Sequence, residues 1–481
     1  MKLIMFRLNL QRVILTFFFI SILALPAAAV TNLPAPDKLQ YPPLQFKLPE
    51  ASRIVLKNGI ILYVLEDHEL PLVTINALIR TGTMFDPSGK EGIADLTASV
   101  MKTGGTHKLS SAEIDNAFDS LAASPSITMA LDYAQIDFSL LNKDIDHGLE
   151  LLAQILIAPA FEQNKFNLAK GLKNEELLRL KDDPQKLAIR EFNRLIYGNN
   201  PRSRYASLKS LKNIDRADLI KFHENFFQPS NIMFAITGNI SREEAISKMQ
   251  RFLGNWQSTA TAVNQRPVPP PPPHNSPAGI FYIDKNIPQT TIISGHLSPG
   301  KNNPDFYAFT VLDFIIGSGG FPSKIFSAVR NNEGLAYSAG SFYRARSDHG
   351  VFAAYAFTKT ESTLKTITLI DSILKNIQSN SITAGEIEWA KKSISTGFIF
   401  SFTSPQQIAW QQMKIEYDGL PADYLATYRQ KIDNVKINDL YRVASKYLDQ
   451  TNNNTLVLGN IKKIGKPPSA MGQTVLITPE D

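Results

Sequence analysis

The sequence predicts an α+β protein of two homologous lobes, each a mostly antiparallel sheet with helices packed on one face. Three observations predict it: an internal repeat at one constant offset, apolar residues that switch between period two and period 3.6, and a proline-rich break between the repeats. NIDRADLIKFHENFFQPSNIMFAITGNI (213–240) aligns without a gap onto NVKINDLYRVASKYLDQTNNNTLVLGNI (434–461) at an offset of 221. Asn213, Asp218, Leu219, Asn231, Gly238, Asn239 and Ile240 meet identical residues there. The same offset carries Pro184, Gln185, Ala188 and Gly198 onto Pro405, Gln406, Ala409 and Gly419. One offset held over such a span indicates duplication. With 481 residues, 43% apolar and 20% charged, the chain has material for more than one core.

The elements follow in order. Lys2, Arg7 and Arg12 precede an uncharged run from Val13 to Leu25, then Pro26 and Ala27–Ala29, which is the layout of a secretory signal peptide over 1–29. The rival reading, a membrane anchor, needs nearer 20 apolar residues. Cleavage would lower the formal charge from +6 to +3, so nucleic acid is not the implied partner, and no later segment reads as a membrane span. The absence of cysteine excludes a disulfide framework, thiol catalysis and cysteinyl metal sites; export to a bacterial periplasm fits best.

The first lobe is expected over 30–256. RIVLKNGIILYVLED and LVTINALIRTG read as paired strands, with a turn at Asn58-Gly59. Helical spacing follows over 93–101 and 112–121, ALDYAQIDFSLL returns to alternation, and helices are expected over 145–157 and 164–181 before Asp183-Pro184. FAITGNI closes the lobe as a short strand. The stretch 257–277, containing PVPPPPPHNSP, can join neither helix nor central strand and reads as an extended connector. The second lobe is expected over 278–465, with a tail over 466–481.

Several motifs now resemble one family. GIADLTASVMKTGGT (92–106), EELLRLKDDP (175–184) and RNNEGLAYS (330–338) stand in the order and spacing of the pitrilysin/insulinase/mitochondrial processing peptidase family of zinc metallopeptidases, from about Lys47 to Ile461. The resemblance implies a metallopeptidase-like duplicated α/β sandwich. In active members the helix after the G-x-A corner bears H-x-x-E-H, two histidines that hold zinc and a glutamate that activates its water. Those places fall here on Asp95, Ala98 and Ser99, none of which can do the original work. The third ligand, ~77 positions further on, falls on Glu176. By itself Glu176 also reads as a solvated helical carboxylate beside Lys173 and Arg179. The seven histidines are spread so that no two stand closer than about twenty positions, which excludes a helical zinc pair. No metal is expected in this chain.

The same resemblance assigns Arg330 and Tyr337 to an arginine–tyrosine pair that reaches the opposite half's zinc site and holds substrate carbonyl oxygen. Taken alone, Arg330 reads as pairing with a helix C-terminus and Tyr337 as packing into the sheet. Some family members work as two chains, one with the metal helix and one with the arginine and tyrosine. This chain is expected to be the second kind: inactive alone, partnered by a homologous subunit carrying H-x-x-E-H and zinc, and acting on unfolded peptides that add to a sheet edge. The alternative is a catalytically inert peptide-binding or scaffold protein of the same fold. A lone peptidase with unorthodox ligands is disfavoured by Ala98, where no general base stands.

Overall fold

The structure is a computed structural model that describes residues 49–258, 269–272, 278–379, 381–448, 453–465 and 473–479. The expected signal peptide, most of the proline connector and part of the tail lie outside those residues. The first repeat runs β1 (Ser52–Val55), β2 (Ile61–Glu66), β3 (Leu72–Ile79), α1 (Ile93–Thr103), α2 (Ser111–Ser120), β4 (Ser126–Met129), β5 (Ala134–Leu141), α3 (Ile145–Ile157), α4 (Gln163–Leu180), α5 (Pro184–Tyr197), α6 (Leu208–Lys212), α7 (Arg216–Phe226), β6 (Ile232–Gly238) and α8 (Arg242–Leu253). The second runs β7 (Gly279–Asp284), β8 (Gln289–Ser298), α9 (Phe306–Asp313), α10 (Lys324–Phe326), β9 (Ala336–Ala345), β10 (Gly350–Lys359), α11 (Thr363–Ile377), α12 (Ala384–Ile399), α13 (Pro405–Tyr417), α14 (Tyr424–Asp433), α15 (Ile437–Tyr447), β11 (Asn454–Gly459), α16 (Ile461–Ile464) and β12 (Thr474–Leu476).

Each repeat builds one six-stranded sheet, in the orders β1-β2-β6-β3-β5-β4 and β12-β7-β11-β8-β10-β9. The expected β1–β2 hairpin forms, with Val55 opposite Ile61. β3 does not pair with β2, because β6 enters between them, parallel to β2 and antiparallel to β3. Within the stretch read as a tail, β12 runs parallel to β7 and takes the edge position that β1 holds in the first sheet.

The residues shared at offset 221 now have physical roles. Pro184 and Pro405 open α5 and α13, where a missing amide hydrogen costs nothing, and Asp183 and Ser404 cap those helices through their side chains. Gly198 and Gly419 follow the helices at φ 52° and 65°, a region that favours glycine. Asp218 and Asp439 accept the backbone amides of Asp215 and Lys436 at the starts of α7 and α15. Leu219 and Leu440 are wholly buried.

Ala188 and Ala409 are fully buried where the lobes pack on each other. One face of each sheet is covered by helices of its own repeat. The other face is covered by a helix of the opposite repeat, so helices do not lie on one face alone. Leu187, Ala188, Phe192 and Ile196 of α5 pack on Ile283, Ile293, Leu297, Leu456 and Leu458, while Ala409 and Met413 of α13 pack on Tyr63, Leu78, Met233 and Ala235. The central strands β6 and β11 are accordingly buried on both faces. Ala409→Leu is expected to destabilise the chain by about 1–3 kcal/mol through overpacking, read from the midpoint of urea unfolding.

A buried histidine makes the fold acid-sensitive. His223 in α7 stacks on Phe227 and donates from Nε2 to the Leu156 carbonyl at 2.8 Å, so its Nδ1 is unprotonated. Burial pushes its pKa down to about 4, against the pull of that carbonyl. The unfolded chain binds this proton more readily, so the contribution is intact above pH 6.5 and is lost as pH falls toward 4, up to about 3 kcal/mol. His223→Gln, which keeps a donor to Leu156, is expected to flatten the dependence of the unfolding midpoint on pH in that window.

Candidate functional site

The helix that the motif marks as the metal helix is α1, and its start is tightly specified. Gly92 adopts φ 102°, and a Cβ there would lie 2.8 Å from Leu211 Cδ2 and 2.9 Å from Ala206 Cβ. Asp86 caps the helix, accepting from the amides of Gly92 at 2.6 Å and Ala94 at 3.1 Å. Burial pushes its carboxyl up to about 8, although both amides pull it down. Ile93, Ala94, Leu96, Thr97, Val100 and Met101 turn inward.

Asp95, Ala98 and Ser99 differ in their surroundings. Ala98 is buried in the core, Asp95 is half-buried and Ser99 is exposed. Opposite α1, the long helix α4 brings Lys173 and Glu176. Lys173 Nζ lies 2.9 Å from Asp95 Oδ2 and 3.0 Å from Glu176 Oε2, an ammonium seated between the first and third ligand positions of the family motif. Burial opposes its charge, but the two carboxylates outweigh burial and hold it above the ordinary lysine value. Of the partners expected for Glu176, Lys173 is therefore present and is shared with Asp95.

These residues do not fit zinc. A dication would need oxygen ligands at ~2.0–2.2 Å and nitrogen ligands at ~2.0–2.1 Å, and the space between the two carboxylates already holds a positive charge. Imidazole is missing from α1, and Ala98 offers no donor atom. Among the described residues, no group of three or more His, Asp or Glu side chains is placed to hold a metal ion. No zinc-dependent step is derived from these side chains.

Arg330 and Tyr337 form a second locus. Arg330 sits in a π-helical turn, Ser327–Asn332, and Tyr337 on β9, the edge strand of the second sheet. The guanidinium lies 4.6 Å from the centre of the Tyr337 ring, 4.9 Å from that of Phe326 and 5.5 Å from that of Phe321. Tyr337 is 81% exposed and Phe321 65%, so the tyrosine stands off the sheet instead of packing into it. The sequence reading missed Phe321 and Phe326. Phe326, one helical turn before Arg330, was the available signal.

Between the lobes lies a cavity of about 460 Å³, walled by Asp95, Lys173 and Glu176 on one side and by Phe342, Arg344 and Arg346 of the second repeat on the other. Neither Arg330 nor Tyr337 lines it. The structure thus joins Asp95 with Glu176 through Lys173 and keeps the arginine–tyrosine pair apart from them.

Comparison with known proteins gives the family. The model described as insulinase (peptidase family M16) matches residues 63–206, and that described as the peptidase M16 inactive domain matches 213–394. The chain belongs to peptidase family M16. Among relatives of this M16 chain, an uncharacterized zinc protease of Rickettsia bellii is 25% identical over 327 residues, 67% of this chain and 76% of its own length. The zinc protease PqqE of Helicobacter pylori is 22% identical and covers 86% of this chain and 94% of its own length. A crystal structure of a peptidase M16 inactive domain from Pseudomonas fluorescens superposes with a TM-score of 0.77 at 22% identity, covering 85% of this chain and 98% of that one. A protease structure from H. pylori gives 0.77 at 21%, with 85% and 100% covered. Both structures share the α+β architecture of the two lobes.

Proposed function

We propose that this M16 chain is the non-zinc subunit of a periplasmic heteromeric metallopeptidase. It contributes Arg330 and Tyr337 to the cleavage of unfolded peptides by a homologous subunit that carries H-x-x-E-H and zinc. One observation carries the reading: the guanidinium of half-buried Arg330 lies over the ring of Tyr337, which is solvent-facing on an edge strand, outside the cavity of their own chain, while α1 offers only Asp95, Ala98 and Ser99. A cation held over a ring beside an open strand edge suits a peptide carbonyl presented by another chain's active site. The charged-then-apolar N-terminus ending in small residues, and the lack of cysteine, support export.

Coexpression with the H-x-x-E-H chain, followed by an assay on a flexible fluorogenic peptide, tests this. Turnover is expected from the pair and not from this chain alone. Equal turnover by the zinc subunit with and without this chain would instead favour the inert scaffold reading, and cleavage by this chain alone would end both.

A further inference from the structure

Arg330 is a cation without an anion. Its guanidinium makes no ion pair and no hydrogen bond among the described residues, and rings alone surround it: Tyr337, Phe326 and Phe321, at 4.6, 4.9 and 5.5 Å. The nearest acid along the chain, Glu333, is committed to Lys365 at 2.6 Å. A ring attracts a cation without occupying its N–H groups as a carboxylate does. The donors of Arg330 are therefore left for a group that this chain does not supply.

The two phenylalanines are themselves fixed. Phe326 ends α10 beside wholly buried Ile325 and packs on Phe321, with ring centres 4.6 Å apart and planes at 57°. Phe321 is largely exposed, yet its turn is tied down on both sides. Gly319 lies so close to α12 that a Cβ would come 2.4 Å from Trp389 Cη2, and Gly320 takes φ 75°, which favours glycine. Beyond the turn, wholly buried Ser323 donates from Oγ to the Gly320 carbonyl at 2.6 Å. A large ring held in water on a fixed turn adds little to the core. Here it covers the guanidinium.

We propose that Phe321 and Phe326 are positioning residues for Arg330: they hold its guanidinium against Tyr337 and keep it unpaired, ready for the substrate carbonyl. The assignment rests on the reading of Arg330 and Tyr337 given above and deepens it. Neither phenylalanine touches the substrate in this role; both act through the arginine.

Phenylglyoxal modification of the full chain, followed at Arg330 by peptide mass spectrometry, reads how closely the guanidinium is held and needs no partner subunit. Phe326→Leu and Phe321→Leu are each expected to raise the modification rate of Arg330 about threefold, and Phe326→Tyr, which keeps a ring, to leave it near the native rate. Phe321→Leu changes an exposed side chain and is expected to keep the native circular dichroism spectrum, so the test survives a misfolded Phe326→Leu. In the coexpressed pair, Phe326→Leu is expected to lower kcat about tenfold with KM within about twofold, and to add no further loss to Arg330→Ala. Unchanged reactivity of Arg330 in both leucine variants would overturn the assignment. So would a full additional loss on the Arg330→Ala background, which marks a purely structural role. A native pair without turnover would instead sink the reading of Arg330 and Tyr337, and the modification rates would still decide whether the rings position the arginine.

Discussion

The double variant Asp95→His/Ser99→His is expected to stay free of zinc while Lys173 is present and to take up one zinc per chain when Lys173→Ala is added. The two histidines would stand one turn apart on α1, and Glu176 is already in place as a third ligand on α4. Lys173 is the obstacle. Its ammonium lies within 3.0 Å of Glu176, and a dication about 4 Å from a unit positive charge would be repelled by on the order of 8 kcal/mol at an effective dielectric near 20. A small part of that would suppress binding a hundredfold. Ala98 is left alone because it is buried, and a glutamate there would test packing as much as chemistry. Metal content by atomic absorption after dialysis decides the outcome; one equivalent of zinc with Lys173 still present would show that the ammonium does not exclude metal.

Arg330→Ala, in the coexpressed pair, is expected to lower kcat/KM by about 10²–10³-fold, the usual cost of removing a preorganised group that stabilises developing negative charge. Tyr337→Phe should cost less, about tenfold, since the ring that the guanidinium rests on remains while the hydroxyl is lost. Neither change should alter zinc in the partner or the melting temperature of the pair. Tyr337 is largely exposed, so its hydroxyl buries nothing that stability depends on. Turnover unaffected by either substitution would favour a scaffold role.

Much of this architecture was legible in the sequence. The helix over Ile145–Ile157 has the bounds that periodicity marks, the strand read at FAITGNI (234–240) lies two residues earlier at Ile232–Gly238 and is followed by the unread α8, and the 221-residue offset matches α4 to α12, α5 to α13 and α7 to α15 at their first residues. Caps and turn glycines are local chemistry, so a single sequence carries them. What it carried poorly was pairing at long range. That β6 slips between β2 and β3 is set by contacts across most of a repeat, and the coverage of each sheet by the other repeat's helix had a weak sign in the unbroken apolar runs of IMFAI and LVL. At the site, positions 95, 98, 99 and 176 could be placed by motif. The bridge through Lys173 depends on two helices meeting at a particular height, and no spacing within either helix encodes that.

The traded helices also constrain how this polypeptide is made. When the first repeat has been synthesised, the sheet face centred on Met233 and Ala235 is still waiting for Pro405–Tyr417, more than a hundred and fifty residues away. A fragment cut within the connector should therefore expose an oily surface and associate or be degraded, and mixing the two fragments should restore a soluble complex. Neither sheet can bury both of its faces until the whole chain is available.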